Sequence, residues 1–216
     1  MASGLKFLII AVAGYLLGNI SGGILISKLY GVRDIRTKGS GNAGTTNVLR
    51  TLGWVPSVLT LVGDCLKGLV AAELGRWLGG ELGMLLGGTC AILGHDFPVA
   101  FRFKGGKGIA TSLGLIIAVN PWIALIVTVL VIGVAATLRY MSVGSIAASV
   151  LYPVLVALFM RGNPHYAVYV LSAVFAGALA IFQHRKNIAR LLRHEENRLD
   201  YEKISRISHK LKNIHK

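Results

Sequence analysis

Lys104-Gly105-Gly106-Lys107-Gly108 sets two cations among three glycines. Glycine lets backbone N–H groups approach a ligand closely, and the apolar run 109–119 behind the loop offers a helix N-terminus. The stretch therefore reads as an anion site, with phosphate the obvious guest. A topology signal alone would need the lysines but not the glycines. The loop is not a Walker A sequence, because Gly108 follows Lys107 where Ser or Thr is required and no glycine stands five places before Gly106. Nucleotide hydrolysis is not expected.

Two further clusters carry chemistry. Gly39-Ser40-Gly41-Asn42-Ala43-Gly44-Thr45-Thr46-Asn47 fits a GxGxxG string, and Asp64 follows at about the distance of a dinucleotide-site acid. That reading fails, since no strand precedes the glycines and Asp64 lies within an apolar run. What survives is a turn of small residues with exposed N–H groups and the side chains of Ser40, Asn42, Thr45, Thr46 and Asn47. Spacing leaves a capped polar turn and an anion site equally open. In His184-Arg185-Lys186-Asn187-Ile188-Ala189-Arg190, continuing to Arg193 and Glu195-Glu196, helical spacing puts Asn187, Arg190 and, near it, His194 on one side, with His184 a turn earlier. Alone, this would be a basic helix touching anionic lipid. Gly94-His95-Asp96-Phe97-Pro98 precedes the lysine loop, and His95 beside a proline turn is read as a positioning hydrogen-bonder. Asp64 and Lys67, three apart, are expected to pair and line the same cavity.

The elements that must position these clusters are membrane helices. With 54% hydrophobic and 15% charged residues and 27 glycines, and a mean hydropathy of +0.64, the 216-residue chain is too apolar for a soluble domain. Of its 23 Lys and Arg, ten fall in 185–216 and most others in a few loops, a pattern suited to a membrane surface and anionic ligands. Nucleic acid is not an expected partner, because the aromatics lie inside apolar runs. Cys65 and Cys90 lack metal or redox spacing and read as packing residues.

Leu5–Leu29 is long enough to span and continues beyond any Ala11-Val12-Ala13 cleavage signal. Its Gly14, Gly18 and Gly22 favour close helix packing, with Asn19 and Ser21 needing partners inside the bundle. The polar stretch 28–50 holds Arg33, Arg36, Lys38 and Arg50 and is assigned to the cytoplasm, which puts the N-terminus outside. Thr51–Leu78, Leu82–Leu93, Ile109–Val119, Trp122–Leu138, Ser142–Met160 and Tyr166–Phe182 complete about seven crossings of an all-α polytopic bundle with a cytoplasmic C-terminus. Leu82–Leu93 and Ile109–Val119 are short for lipid-exposed spans. They are either shielded in the bundle or form one re-entrant feature, leaving five full spans.

Taken together, the Ser40 turn with Arg50, the run from Gly94 through Lys104–Gly108 to Ile109-Ala110-Thr111, and the stretch 184–196 resemble the bacterial membrane acyltransferases that use acyl phosphate to acylate glycerol 3-phosphate. The resemblance implies a multi-pass enzyme of the bacterial cytoplasmic (inner) membrane, with its active site facing the cytoplasm. Its product is 1-acyl-glycerol 3-phosphate (lysophosphatidate), an early intermediate of phospholipid synthesis, with inorganic phosphate released. No cofactor or metal is implied. By position, Ser40 with Gly39, Gly41, Asn42, Gly44, Thr46 and Asn47, and Lys107 with Gly105, Gly106 and Gly108, would hold the acyl phosphate. Arg50, Lys104, His184 and Asn187 would hold glycerol 3-phosphate or order the site. His95 and Glu196 would support it, Glu196 as an ion-pair partner. Ser40, Lys107 and Arg50 are the expected catalytic residues. The family usually has glycine where His194 stands, which puts the turn to Glu196 in question. The resemblance covers one domain, 1–198, and leaves the basic cytoplasmic tail 199–216 outside; that tail reads as an interfacial helix or as disordered.

No Ser/His/Asp constellation is present, nor the His-x4-Asp motif of other glycerolipid acyltransferases. An acyl phosphate is already an activated mixed anhydride, so placement of the hydroxyl, electrostatic stabilisation and exclusion of water suffice. The resemblance suggests that the hydroxyl proton passes to a substrate phosphate. An organic-anion transporter is the competing function, against which stand the one-sided charge clusters and the lack of homologous halves.

Overall fold

The structure, a computed structural model, describes residues 3–214, with side chains from 4 to 211. All its regular elements are helical. Where one helix is expected over Leu5–Leu29 there are two, α1 (Ser3–Asn19) and α2 (Gly22–Leu29). The break is built from polar contacts. Asn19 Nδ2 donates to the Tyr15 carbonyl at 2.7 Å, Ser21 Oγ caps α2 by accepting the Ile24 N–H at 3.4 Å, and the freed Ile20 carbonyl accepts from Lys67 Nζ at 2.6 Å. The pair still forms one apolar stretch, Gly4–Leu29, long enough to span.

After the short 3-10 turn Ile35–Thr37 and α3 (Thr45–Leu52), α4 runs over Trp54–Asp96. It is interrupted at Gly80, whose φ of 64° and ψ of −154° favour glycine. There the chain folds back: a Cβ on Gly75 would lie 2.1 Å from the Gly83 carbonyl oxygen, and one on Gly87 2.4 Å from that of Ala71. Residues 54–79 and 81–96 are therefore the two arms of an antiparallel hairpin. The second arm ends at Asp96 rather than at the expected Leu93, because His95 and Asp96 are buried and continue the helix. On α1, Gly14 and Gly18 let that helix touch the backbone of this arm at Gly87 and Ala91.

α5 (Ile109–Val119) has only 11 residues and lies packed on α4, with Thr111, Ser112, Gly114, Leu115 and Ile116 buried. A Cβ on Gly68 would come within 2.2 Å of the Thr111 carbonyl oxygen, and one on Gly114 within 2.1 Å of that of Cys65. Its start is level with the middle of the first arm, so the lysine loop has already sunk into the bundle. That explains the helix's shortness, since a shielded helix need not match the bilayer. α6 (Pro121–Leu138), capped by Asn120, α7 (Met141–Phe159) and α8 (Tyr166–Gln183) follow. Met84, Leu115, Ile123, Val156 and Ala173 share the core they make with α4 and α5. Five helical stretches among the described residues are long and apolar enough to cross a membrane.

Past α8 come α9 (Arg185–Leu192) and α10 (Tyr201–Ile214). Over its described residues the tail is largely helical and docked: Leu199 and Ile204 bury against Leu49 and Ala135, and the Trp54 N–H donates to Ser208 Oγ at 3.1 Å.

Candidate active site

A single cavity of about 270 Å³ collects residues from all three sequence clusters and continues between α5, α6, α7 and α8. Its first wall is the glycine turn, which Asn47 builds. Asn47, 2% exposed, accepts the Ser40 N–H on Oδ1 at 2.8 Å and donates Nδ2 to the carbonyls of Ile35 (3.2 Å), Lys38 (3.0 Å) and Asn42 (2.8 Å). Gly39 and Gly41, at φ 56° and 74°, supply the left-handed steps. Asn42 accepts the Gly44 N–H at 2.8 Å and reaches the Gly105 carbonyl at 3.5 Å, tying this turn to the lysine loop. The amides of Asn42 and Asn47 thus hold the turn's shape. The Ser40 hydroxyl and the first turn of α3, which has no side-chain cap, border the cavity.

The second wall is the lysine loop, pressed on His95. The Gly106 N–H donates to the His95 carbonyl at 3.1 Å. A Cβ on Gly105 would lie 2.0 Å from that oxygen, and one on Gly106 2.0 Å from His95 Nε2. These glycines serve close approach to α4, and Gly108, at φ 71°, turns the chain into α5. Lys107 extends into the cavity and donates to Asn187 Oδ1. His95 rests on a buried ion pair. Lys67 Nζ lies 2.8 Å from Asp64 Oδ1 and, being donor only, gives a hydrogen bond to His95 Nδ1 at 2.7 Å. Asp64 and Lys67 are 1% and 7% exposed. Asp64 lines the cavity as expected; Lys67 stands behind it.

The third wall centres on Glu196, 7% exposed. Its Oε1 accepts from Ser142 Oγ at 3.0 Å and Asn187 Nδ2 at 2.7 Å, and its Oε2 from Arg190 Nε at 2.8 Å. Burial pushes this carboxyl up, but the bonds from Asn187, Arg190 and Ser142 outweigh it, so the group is held below its ordinary range. His194 lies exposed in the turn, not on the Asn187 side, and adopts φ 58°, the conformation glycine would supply there. The turn therefore reaches Glu196 despite the departure. His184 donates Nδ1–H to the Ala180 carbonyl at 2.8 Å, leaving Nε2 an acceptor. Burial, reinforced by the Lys107 charge, lowers its pKa to about 4.

Burial also lowers Lys107 to about 8; Glu196 opposes this, while Arg190 and Arg50 add to it. Arg50 donates Nη2 to the Asn197 carbonyl at 2.8 Å. Its Nε, Thr45 Oγ1 and Ser112 Oγ, all on cavity-lining residues, are buried without a protein partner. Arg50, Lys107 and Arg190 gather around the Glu196 carboxylate, which leaves this wall net positive and suits a polyanionic ligand. Among the described residues no group of three His, Cys, Asp or Glu could hold a metal.

Of the residues expected from sequence, the cavity is lined by Ser40, Asn42, Gly44, Thr46, Asn47, Arg50, His95, Lys107, Gly108, His184, Asn187 and Glu196. Gly39, Gly41, Gly105 and Gly106 shape its walls from outside. Lys104 does not join it: the side chain is exposed, and its carbonyl accepts from Arg36 Nη1 at 3.0 Å. Sequence reasoning missed Ser142 and Asn197. Ser142, Ser145, Ser149 and Tyr152 recur along one face of α7 inside an apolar run, and that stripe was the available signal. Asn197 acts through its backbone, which leaves no signal.

A family model described as glycerol-3-phosphate acyltransferase matches residues 8–194. Curated proteins named glycerol-3-phosphate acyltransferase are similar over nearly the whole chain. The one from Geobacter sulfurreducens is 43% identical, over 90% of this chain and 98% of its own. That from Thermoanaerobacter pseudethanolicus is 41% identical, over 88% and 93%. Crystal structures of PlsY (YgiH), an integral membrane glycerol 3-phosphate acyltransferase, superpose on it. The glycerol 3-phosphate form gives a TM-score of 0.83 at 40% identity, covering 92% of this chain and 98% of that one. The lysophosphatidic acid form gives 0.81 at 39% identity, covering 92% and 97%.

Proposed function

The chain belongs to the glycerol-3-phosphate acyltransferase family, and from that membership we propose that it transfers an acyl group from acyl phosphate to the 1-hydroxyl of glycerol 3-phosphate. The products are lysophosphatidate and inorganic phosphate. The observation that carries this reading is a single cavity whose mouth gathers Arg50, Lys107, His184 and Asn187 and whose depth is apolar. Two phosphates joined through a reacting centre to a fatty chain have that polarity.

In the reaction, the glycerol hydroxyl oxygen bonds to the acyl carbon, the carbonyl becomes an oxyanion, and the carbon–oxygen bond to phosphate then breaks. Ser40 and Lys107 hold the donor phosphate and stabilise the charge that moves onto it. Arg50 and Asn187 hold glycerol 3-phosphate. His184, neutral near pH 7, accepts the hydrogen bond of an acceptor hydroxyl on Nε2 and orients it. The hydroxyl proton passes to an oxygen of the departing phosphate, so no protein group changes protonation over the cycle. Lys104 stays at the entrance as a positive charge. Glu196 fixes Asn187, Arg190 and Ser142.

The site faces the cytoplasm of a bacterial inner membrane. Seven passes, α1–α2 together, the two arms of α4, and α5 to α8, put the N-terminus outside and the C-terminus inside. Support comes from the shared cavity mouth of the basic segments and the positive-inside rule. Residues 1–198 form the enzyme domain and 199–216 an appended tail, within which α10 clamps α3. The test is purified protein in detergent with acyl phosphate. Phosphate release and lysophosphatidate formation that both require glycerol 3-phosphate support the reading, and acceptor-independent release opposes it.

A further inference from the structure

The apolar part of the cavity is a slot whose walls descend together from the polar mouth. On α7 the lining residues run from Ser142, beside Glu196, to Tyr152, a rise of about 15 Å. Along α5 they run from its N-cap Gly108 to Ile116, and along α8 from its C-cap His184 back to Ala176, each about 12 Å. The α7 wall is drier than its sequence suggests. Ser145 Oγ donates to the Met141 carbonyl at 2.9 Å and Ser149 Oγ to the Ser145 carbonyl at 2.7 Å, so both hydroxyls are turned onto their own helix.

The last lining residue along α7 is Tyr152, 4% exposed, which belongs to the same buried cluster as Ile116, Val127 and Ala176. α7 and α8 are in backbone contact just before it. A Cβ on Gly177 would lie 2.5 Å from the Ser149 carbonyl oxygen, so the slot does not open sideways between these helices at that level.

Resting on the acyl-transfer reading above, we propose that Tyr152 is the floor of the acyl pocket and sets the chain length the enzyme prefers. An extended chain advances roughly 1.2 Å per bond, taking a three-bond peptide unit as the ruler. A slot about 15 Å deep along α7 then takes about a dozen bonds before the chain meets the ring. Longer chains must fold or leave the slot. Tyr152 touches no reacting atom; it acts on specificity alone.

The test is kcat/KM for saturated acyl phosphates lengthened two carbons at a time, at saturating glycerol 3-phosphate. Tyr152→Ala deepens the slot and should raise the ratio of long to short donors about 10-fold, the order expected for a methylene gained or excluded in an apolar pocket. Ala148→Leu fills the slot above an intact Tyr152 and should move the ratio about as far the other way. KM for glycerol 3-phosphate should not change in either. Should Tyr152→Ala not fold, the Ala148→Leu ratio decides. Ratios that stay at the parent value in active variants would overturn the floor while leaving acyl transfer standing. Absence of transfer from every donor in the unmodified protein would overturn both.

Discussion

Lys107 is a half-buried lysine, and its partial desolvation lowers its pKa to about 8, which makes its charge sensitive to pH in the working range. Because a lowered lysine loses its proton as pH rises through that value, kcat/KM should fall above about pH 8. The fall in kcat should come at higher pH, since a bound phosphate raises the pKa. Steady-state rates across pH check this, and Lys107→Ala should cost about 10²- to 10³-fold in kcat/KM with the alkaline limb removed. His184, neutral above about pH 4, should contribute no acid limb near its ordinary value. His194→Gly should leave turnover unchanged and stabilise the protein by roughly 0.5–1 kcal/mol, the left-handed strain being partly offset by the freer unfolded chain. His194→Val should lower the melting temperature. Most residues at the mouth were legible because cations and glycines in a lipid-like sequence need a reason. Lys104 was expected to hold glycerol 3-phosphate or order the site, and the depth of the loop, which exposes it while Lys107 reaches the cavity, was not legible.

Two glycine contacts and one ion pair set the height of the lysine loop. Gly106→Ala puts a methyl group into His95, so activity should drop even though the cations remain. Asp64→Asn or Lys67→Met alone leaves one buried charge without its partner and should cost about 3–5 kcal/mol, read as thermal unfolding in detergent. The double variant Asp64→Asn/Lys67→Met should be much less damaged than the sum of the two. Additive losses would mean that the pair is not one unit. Most helices were legible from the length of their apolar runs, and the Gly80 reversal from Gly79-Gly80-Glu81. The break after Asn19 was not, because it depends on a lysine 47 residues away reaching the Ile20 carbonyl. Nor was the docking of α10, whose apolar stripe looks the same against lipid as against α3.

The whole molecule joins a cationic mouth to a dry slot between four helices, and neither half alone would identify a substrate. The glycine clusters assemble the mouth by letting backbones touch, while the α7 stripe gives the slot its wall. The same arrangement explains the absence of any need for a triad: both substrates bring phosphates, and one phosphate is itself the leaving group. The central claim is that the two phosphates share this cavity and react there. The most direct measurement is single-turnover acyl transfer from radiolabelled acyl phosphate in the unmodified protein and in Lys107→Ala, with and without glycerol 3-phosphate. The account predicts label in lysophosphatidate only when acceptor is present, never on the protein, and a rate about 10²-fold or more lower in the variant. Label covalently held by the protein, or an unchanged rate in Lys107→Ala, would contradict it.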